Sequence, residues 1–214
     1  MASERIGIVV GLRAEARIAR PLGWAVAIGG GTAAGAERAA QKLLGQGVTA
    51  LVSFGLAGGL DPALRPGNIL VPETVLVDGD HLACDDALAA HLGGFNCHTM
   101  LGETAIIVTA EDKRDCWRET EANGVDLESG AVARIASAHN LPFAVLRAIC
   151  DPANCSLPPA AQIALDHAGV IGLGRVLFSV LCDPRQIPDL FALADDAMTA
   201  RKALKEHIAR LKAA

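Results

Sequence analysis

The chain has 214 residues, 51% hydrophobic and 20% charged, with a formal net charge of −5. That length and apolar content suit one α/β domain with a sizeable core, and the acidic balance argues against a nucleic-acid partner, whose phosphates call for a basic surface. Six cysteines (Cys84, Cys97, Cys116, Cys150, Cys155 and Cys182) form no Cys-x-x-Cys pair and no zinc-ligand spacing, so they read as reduced thiols of a cytoplasmic protein.

The first residues lead straight into an apolar strand, which is the pattern of neither a signal peptide nor a membrane span. Ile6–Val10 is that strand, closed by Gly11. A helix over Leu12–Arg20 follows, with Glu15 in its opening turn, where an acid ordinarily complements the helix dipole. Trp24–Ile28 is a second strand, then a glycine-rich turn and an Ala-rich helix to Leu44. Gly29-x-Gly31-x-x-Ala34 imitates a dinucleotide-binding fingerprint. The next strand, Val48–Phe54, ends without the ribose-binding acid that fingerprint needs, so a tight strand-to-helix turn is the better reading.

Gly55-Leu56-Ala57-Gly58-Gly59 is expected to be a loop whose backbone can approach a ligand closely. Asn68–Val77 reads as a strand or strand pair after turns at Asp61-Pro62 and Arg65-Pro66-Gly67. Asp78–Asn96 carries His81, Cys84, Asp85, Asp86 and His91 without regular ligand spacing, and reads as a polar loop plus helix with no metal. Thr104–Val108 is expected as a strand and Glu111–Asn123 as a charged, exposed helix containing Trp117.

Val125-Asp126-Leu127-Glu128-Ser129-Gly130 then precedes a helix over 131–139, and the strand Pro142–Ile149 runs into Arg147-Ala148-Ile149-Cys150-Asp151. Two carboxylates and an Arg thus fall at the ends of elements, where open α/β sheets bind ligands. For Arg147 a structural ion pair is the competing reading, and for Asp126 a helix cap. Pro152–Pro159 is a loop. The tail is helical over Val170–Leu181 and again from Ile187, where Ile187, Leu190, Phe191, Ala194, Met198, Leu204, Ile208 and Leu211 form a core or subunit-contact stripe. Alternating strands and helices make this a three-layer α/β/α sandwich on a twisted, mostly parallel sheet, one domain over 1–214 with a helical tail from about residue 160.

Ile6–Gly11 with Glu15, the Gly55–Asp61 segment followed by Pro66-Gly67-Asn68-Ile69, and Val125-x-x-Glu128-Ser129 with Arg147-Ala148-Ile149-x-Asp151 occur in that order. Together they resemble the purine nucleoside phosphorylase and methylthioadenosine/S-adenosylhomocysteine nucleosidase superfamily, over about the first three-quarters of the chain. The resemblance implies cleavage of the C1′–N9 bond of a purine nucleoside. Asp151 would serve the base nitrogen N7, Glu128 the ribose hydroxyls, and Glu15 with Arg147 the nucleophile. Asp126, Leu127, Leu56, Ala57, Gly58 and Cys150 would line the substrate. It also implies a homo-oligomer, dimer or trimer, and no cofactor.

Two departures bear on the acceptor. Leu56 stands where the nucleosidases commonly carry Ser, and the phosphorylases' Gly-Asp-Pro-x-Arg loop is absent. Only Arg13 or Arg17 could serve phosphate from the first helix, which favours water and leaves inorganic phosphate as the alternative co-substrate. Leu51–Gly67, Cys150-Asp151-Pro152-Ala153, Leu157-Pro158-Pro159-Ala160-Ala161 and Gln186-Ile187-Pro188 are similar to the hopanoid-associated phosphorylase-like proteins. That similarity implies adenosylhopane, an adenine nucleoside linked to a lipid, as substrate, with an apolar mouth near Leu56, Leu157, Pro158 and Pro159. Methylthioadenosine/S-adenosylhomocysteine hydrolysis and a nucleoside-binding module without catalysis are the alternatives.

Overall fold

Residues 5–159, 161 and 183–213 are described in a computed structural model. The expected helix Val170–Leu181, together with Ala160 and Cys182, lies outside the described residues. The elements are β1 (Ile6–Val10), α1 (Arg13–Ala19), β2 (Ala25–Ile28), α2 (Ala33–Gly45), β3 (Ala50–Gly59), β4 (Ile69–Leu70), β5 (Pro72–Val77), β6 (Asp80–Ala83), α3 (Asp86–Ala90), β7 (Cys97–Gly102), α4 (Ala110–Thr120), β8 (Gly124–Asp126), α5 (Ser129–Ala138), β9 (Phe143–Asp151) and α6 (Ile187–Ala213).

β1 and β9 are buried, apolar runs without strict alternation, as strands covered on both faces should be. On one face Ile8, Val10, Val52, Phe54, Ala144, Leu146 and Ala148 pack beneath α1, α3 and the Ala200, Leu204, Ile208 ridge of α6. On the other, Val9, Leu51, Val145 and Ile149 meet α2 through Ala36, Ala39, Ala40 and Leu43, and α5 through Val132, Ala133 and Ala136. This is the expected three-layer sandwich.

The sheet runs β2-β1-β3-β8-β7-β5-β6, with β9 paired to β3 and β4 to β9. Parallel pairs dominate; β3/β8, β4/β9 and β5/β6 are antiparallel. The edge of β3 positions the site. β9 follows one edge of β3 from Leu51 to Gly58. Along the opposite edge β1 stops at Phe54, and β8 takes over only at Gly58. Gly55, Leu56 and Ala57 therefore lie between two partners, with an opening in the sheet beside them.

Several expectations are corrected here. The Gly55–Gly59 stretch is strand rather than loop, because β9 supplies its ladder to Gly58 and β8 pairs Gly58 and Gly59. Thr104–Val108 is irregular, and the strand is Cys97–Gly102, which has β5 on one side and β8 on the other. Pairing on both edges outweighs the β-propensity of the later segment. The polar 78–96 stretch contains β6, a hairpin partner of β5. In α6, Leu204 and Ile208 of the expected stripe are buried, with Ala200 beside them, whereas Ile187, Phe191, Ala194 and Met198 of that stripe are exposed.

Candidate active site

The opening beside Leu56 is filled by side chains. Glu15 is the third residue of α1, and its Oε2 accepts the backbone N–H of Leu12 at 2.7 Å, satisfying an orphan donor at the helix start. Its Oε1 accepts the N–H of Leu56 at 3.1 Å, a donor that a neighbouring strand would otherwise have used. The Leu56 carbonyl accepts from Arg147 Nη1 at 3.3 Å. Glu15 is buried, so its place in the first turn does more than complement a dipole.

Arg147 is wholly buried. Its Nη1 donates to Glu128 Oε2 at 2.9 Å, and its Nη2 to Ser53 Oγ at 2.6 Å and Ser129 Oγ at 3.3 Å. Its Nε lies 2.8 Å from Asp126 Oδ2, outside hydrogen-bond geometry, so that contact is an ion pair. Asp126 in turn caps α5: Oδ1 accepts the N–H groups of Glu128 at 2.8 Å and Ser129 at 2.6 Å, and Oδ2 accepts the Ser129 hydroxyl at 2.5 Å. Arg147 and Asp126 thus take the two structural roles weighed for them, an internal ion pair and a helix cap. Both are spent on holding Glu128 and on closing the core.

Close backbone approach makes room for the carboxylates. A Cβ at Gly55 would sit 2.6 Å from both Arg147 Nη1 and Glu15 Oε1, and a Cβ at Gly11 would overlap Glu128 Oε1. One guanidinium faces Asp126, Glu128 and Glu15. Burial pushes the Glu128 carboxyl up to about 7, with Arg147 opposing the rise and the charges of Asp126 and Glu15 adding to it.

The sign follows from proton binding. Between pH about 4.5 and about 7 the folded chain holds a proton on Glu128 that the unfolded chain has released, so stability falls as pH rises through this window. We expect Glu128→Gln to flatten that slope in urea unfolding measured across the same window. An unchanged slope would place the proton elsewhere.

A second group lies further along the same strands. β9 carries one extra residue opposite Ala57 and Gly58, which brings Asp151 beside Gly58. Such a bulge re-aims the side chain that follows it. Asp151 Oδ2 faces Gly58, and its Oδ1 forms an ion pair with Lys113 Nζ at 2.6 Å. Lys113, on α4, is buried and also donates to the carbonyls of Pro152 at 3.2 Å and Cys155 at 2.8 Å. Burial raises the Asp151 carboxyl above the usual carboxylate range, Lys113 opposes that rise, and Asp196 of α6 adds to it. Burial pushes the neighbouring Cys150 thiol up to about 12, which keeps it protonated and unreactive.

Glu15, Glu128, Arg147, Leu56 and Asp126 are therefore brought together at the opening. Asp151 and Gly58 stand two residues beyond Leu56 and three beyond Gly55, roughly 7–10 Å at strand rise. Leu127 and Leu56 are half-buried and Ala57 is buried. Arg13 and Arg17 are exposed, and Arg17 lines a groove with Lys205 and Lys212 at the far end of α6.

Three polar residues were not anticipated. Ser53, in the otherwise apolar run Ala50–Phe54, carried a usable signal, since a hydroxyl inside a buried strand must find partners. Ser129 was read only as part of a motif. Lys113 carried no signal at all, being one charge among many on α4.

No protein-family model matches the chain, and no curated protein matches it in sequence. Solved structures do match in shape. The 5′-methylthioadenosine/S-adenosylhomocysteine nucleosidase of Helicobacter pylori with butyl-thio-DADMe-Immucillin-A is 17% identical with a TM-score of 0.67, covering 98% of this chain and 100% of that one. The S-adenosylhomocysteine nucleosidase of Streptococcus pyogenes in complex with 5-methylthiotubericidin is 17% identical at a TM-score of 0.65, covering 85% of this chain and 97% of the other. Futalosine hydrolase of Helicobacter pylori is 16% identical at 0.66, covering 97% and 98%. The chain shares their fold.

Proposed function

We propose that the chain is a hydrolytic nucleosidase that releases adenine from a nucleoside bearing an apolar 5′ group, with adenosylhopane as the substrate. The observation that carries this reading is the placement of buried Glu15 and Glu128 beside Gly55–Leu56 of β3, with half-buried Asp151 two to three residues further on at Gly58, a span that suits ribose at one end and purine at the other. Glu128 accepts the ribose hydroxyls, and its charge favours a cationic sugar. As the C1′–N9 bond breaks, its electron pair passes to the purine, and Asp151 delivers a proton to N7. Water then forms the new C1′–O bond while Glu15 takes its proton. Both Glu15 oxygens already accept a backbone N–H, which fixes the carboxylate and still leaves lone pairs for that proton.

The engagement of Arg147 supports water as acceptor. Its guanidinium is taken up by Asp126, Glu128, Ser53, Ser129 and the Leu56 carbonyl, whereas a phosphate acceptor would need cationic ligands of its own. Exposed Leu12 beside Glu15 and half-buried Leu56 support an apolar 5′ substituent. Exposed Phe191 and Met198 support a homo-oligomer, and no described helix is long and apolar enough to cross a membrane.

The test is adenine release from adenosylhopane and from methylthioadenosine, each with and without inorganic phosphate. Release from adenosylhopane without phosphate, faster than from methylthioadenosine, is expected. A strict phosphate requirement would make the chain a phosphorylase. Tight binding of both nucleosides with no adenine from either would make it a binding module.

A further inference from the structure

Lys113 is one of the largest fully buried side chains in the molecule, and nothing in the scheme above uses it. Its ammonium has three donors and three acceptors: Asp151 Oδ1, the Pro152 carbonyl and the Cys155 carbonyl. The two carbonyls belong to the loop that leaves β9, so they orient the ammonium and cannot neutralise it. Among the described residues its charge falls on a single oxygen of a single carboxyl. The other oxygen of Asp151 is the one that faces Gly58 and the substrate side.

We propose that Lys113 is the positioning residue that makes Asp151 an effective acid toward the leaving purine. The inference rests on the nucleosidase reading, since it concerns the acid of that reaction. Before the reaction the proton sits on Oδ2 of Asp151 while Oδ1 accepts from Lys113. As the C1′–N9 bond breaks and its electrons move onto the purine, the Oδ2–H bond breaks and an N7–H bond forms. The carboxylate left behind carries its new charge against the ammonium, and after adenine leaves solvent carries back to it the proton that Glu15 took from the attacking water. Lys113 keeps its own three protons throughout.

Among the described residues the charged groups around Asp151 divide cleanly. Lys113 comes from α4 and favours the ionised carboxylate. Asp196 comes from α6 and opposes it, and the Cys150 thiol on β9 is held neutral by burial. Burial without Lys113 would raise the carboxyl further and make it a weaker acid toward a purine nitrogen.

Lys113→Gln keeps an N–H donor for the loop carbonyls and removes the charge. Two measurements on the full chain test the role: the pH profile of kcat for adenine release, and the carbon-13 titration of the Asp151 carboxyl, assigned by its loss in Asp151→Asn. In Lys113→Gln we expect the Asp151 titration and the alkaline limb of kcat to move up together by about 1–3 pH units. The rate below the limb should fall at least tenfold, and Lys113→Arg should restore the limb. A folded Lys113→Gln whose Asp151 titration is unmoved overturns the proposal and leaves Lys113 as a loop anchor.

If Lys113→Gln does not fold, the nitrogen-15 signal of Lys113 Nζ in the unmodified chain decides the matter. It must shift in step with the Asp151 carboxyl, and an independent titration refutes the coupling. The carboxyl titration needs no turnover, so an inactive protein would refute the nucleosidase reading while leaving this electrostatic coupling standing or falling on its own.

Discussion

Replacing Asp151 by Asn is expected to slow adenine release by about 10²- to 10⁴-fold, the usual contribution of a positioned general acid. Asn preserves the size of the side chain and can still accept from Lys113 through its amide oxygen, so a hydrogen bond replaces the ion pair without emptying the site. What is lost is the transferable proton at the oxygen facing Gly58. Substrate binding should change much less than turnover, because the ribose contacts proposed for Glu128 lie two to three residues away at the Gly55–Leu56 level. Steady-state kinetics of adenine release, with a separate binding titration, check both parts. Turnover within a fewfold of the parent would remove Asp151 from the chemistry.

Arg147→Met should act on the fold rather than on one chemical step. The substitution is close in volume and apolar, yet it leaves Asp126 and Glu128 buried with no cation between them. Breaking a buried pair in this way costs about 3–5 kcal/mol, a large share of what a domain has to spend. Urea unfolding near neutral pH should show the loss. Acidification should shrink it, because protonating Glu128 removes part of the uncompensated charge. An Arg147→Met chain as stable as the parent but inactive would return Arg147 to the role of orienting the nucleophile.

The sandwich was readable because it rests on patterns local to each element. The apolar runs of β1, β3 and β9, the Ala-rich face of α2 and the Leu204–Ile208 ridge of α6 all announce themselves in sequence. Glu15, Glu128, Arg147 and Asp151 were legible through residue type and order, and the structure gathers them at one end of the sheet. The glycine-rich stretch after Phe54 was misread because glycine normally marks a loop. Here it marks a strand that carboxylates crowd from the side. Lys113 stayed hidden because its burial depends on where the loop after β9 returns, a contact across 38 positions from Lys113 to Asp151 that no periodicity encodes. Likewise the strand at Cys97–Gly102 depends on neighbours contributed from both sides, and propensity alone favoured the wrong segment.

The opening along β3 makes sheet alignment the ruler of the site. β8 is three residues long and grips β3 through just two pairs, Gly58 with Val125 and Gly59 with Gly124. A slip of one position would carry Glu128 about 3.4 Å along the strand and turn Val125 to the opposite face. Gly124 helps prevent such a slip, since a Cβ there would stand 3.0 Å from the Gly58 carbonyl oxygen and force the strands apart. How far Glu128 stands from Asp151 is thus measured out in backbone steps, by a strand of three residues.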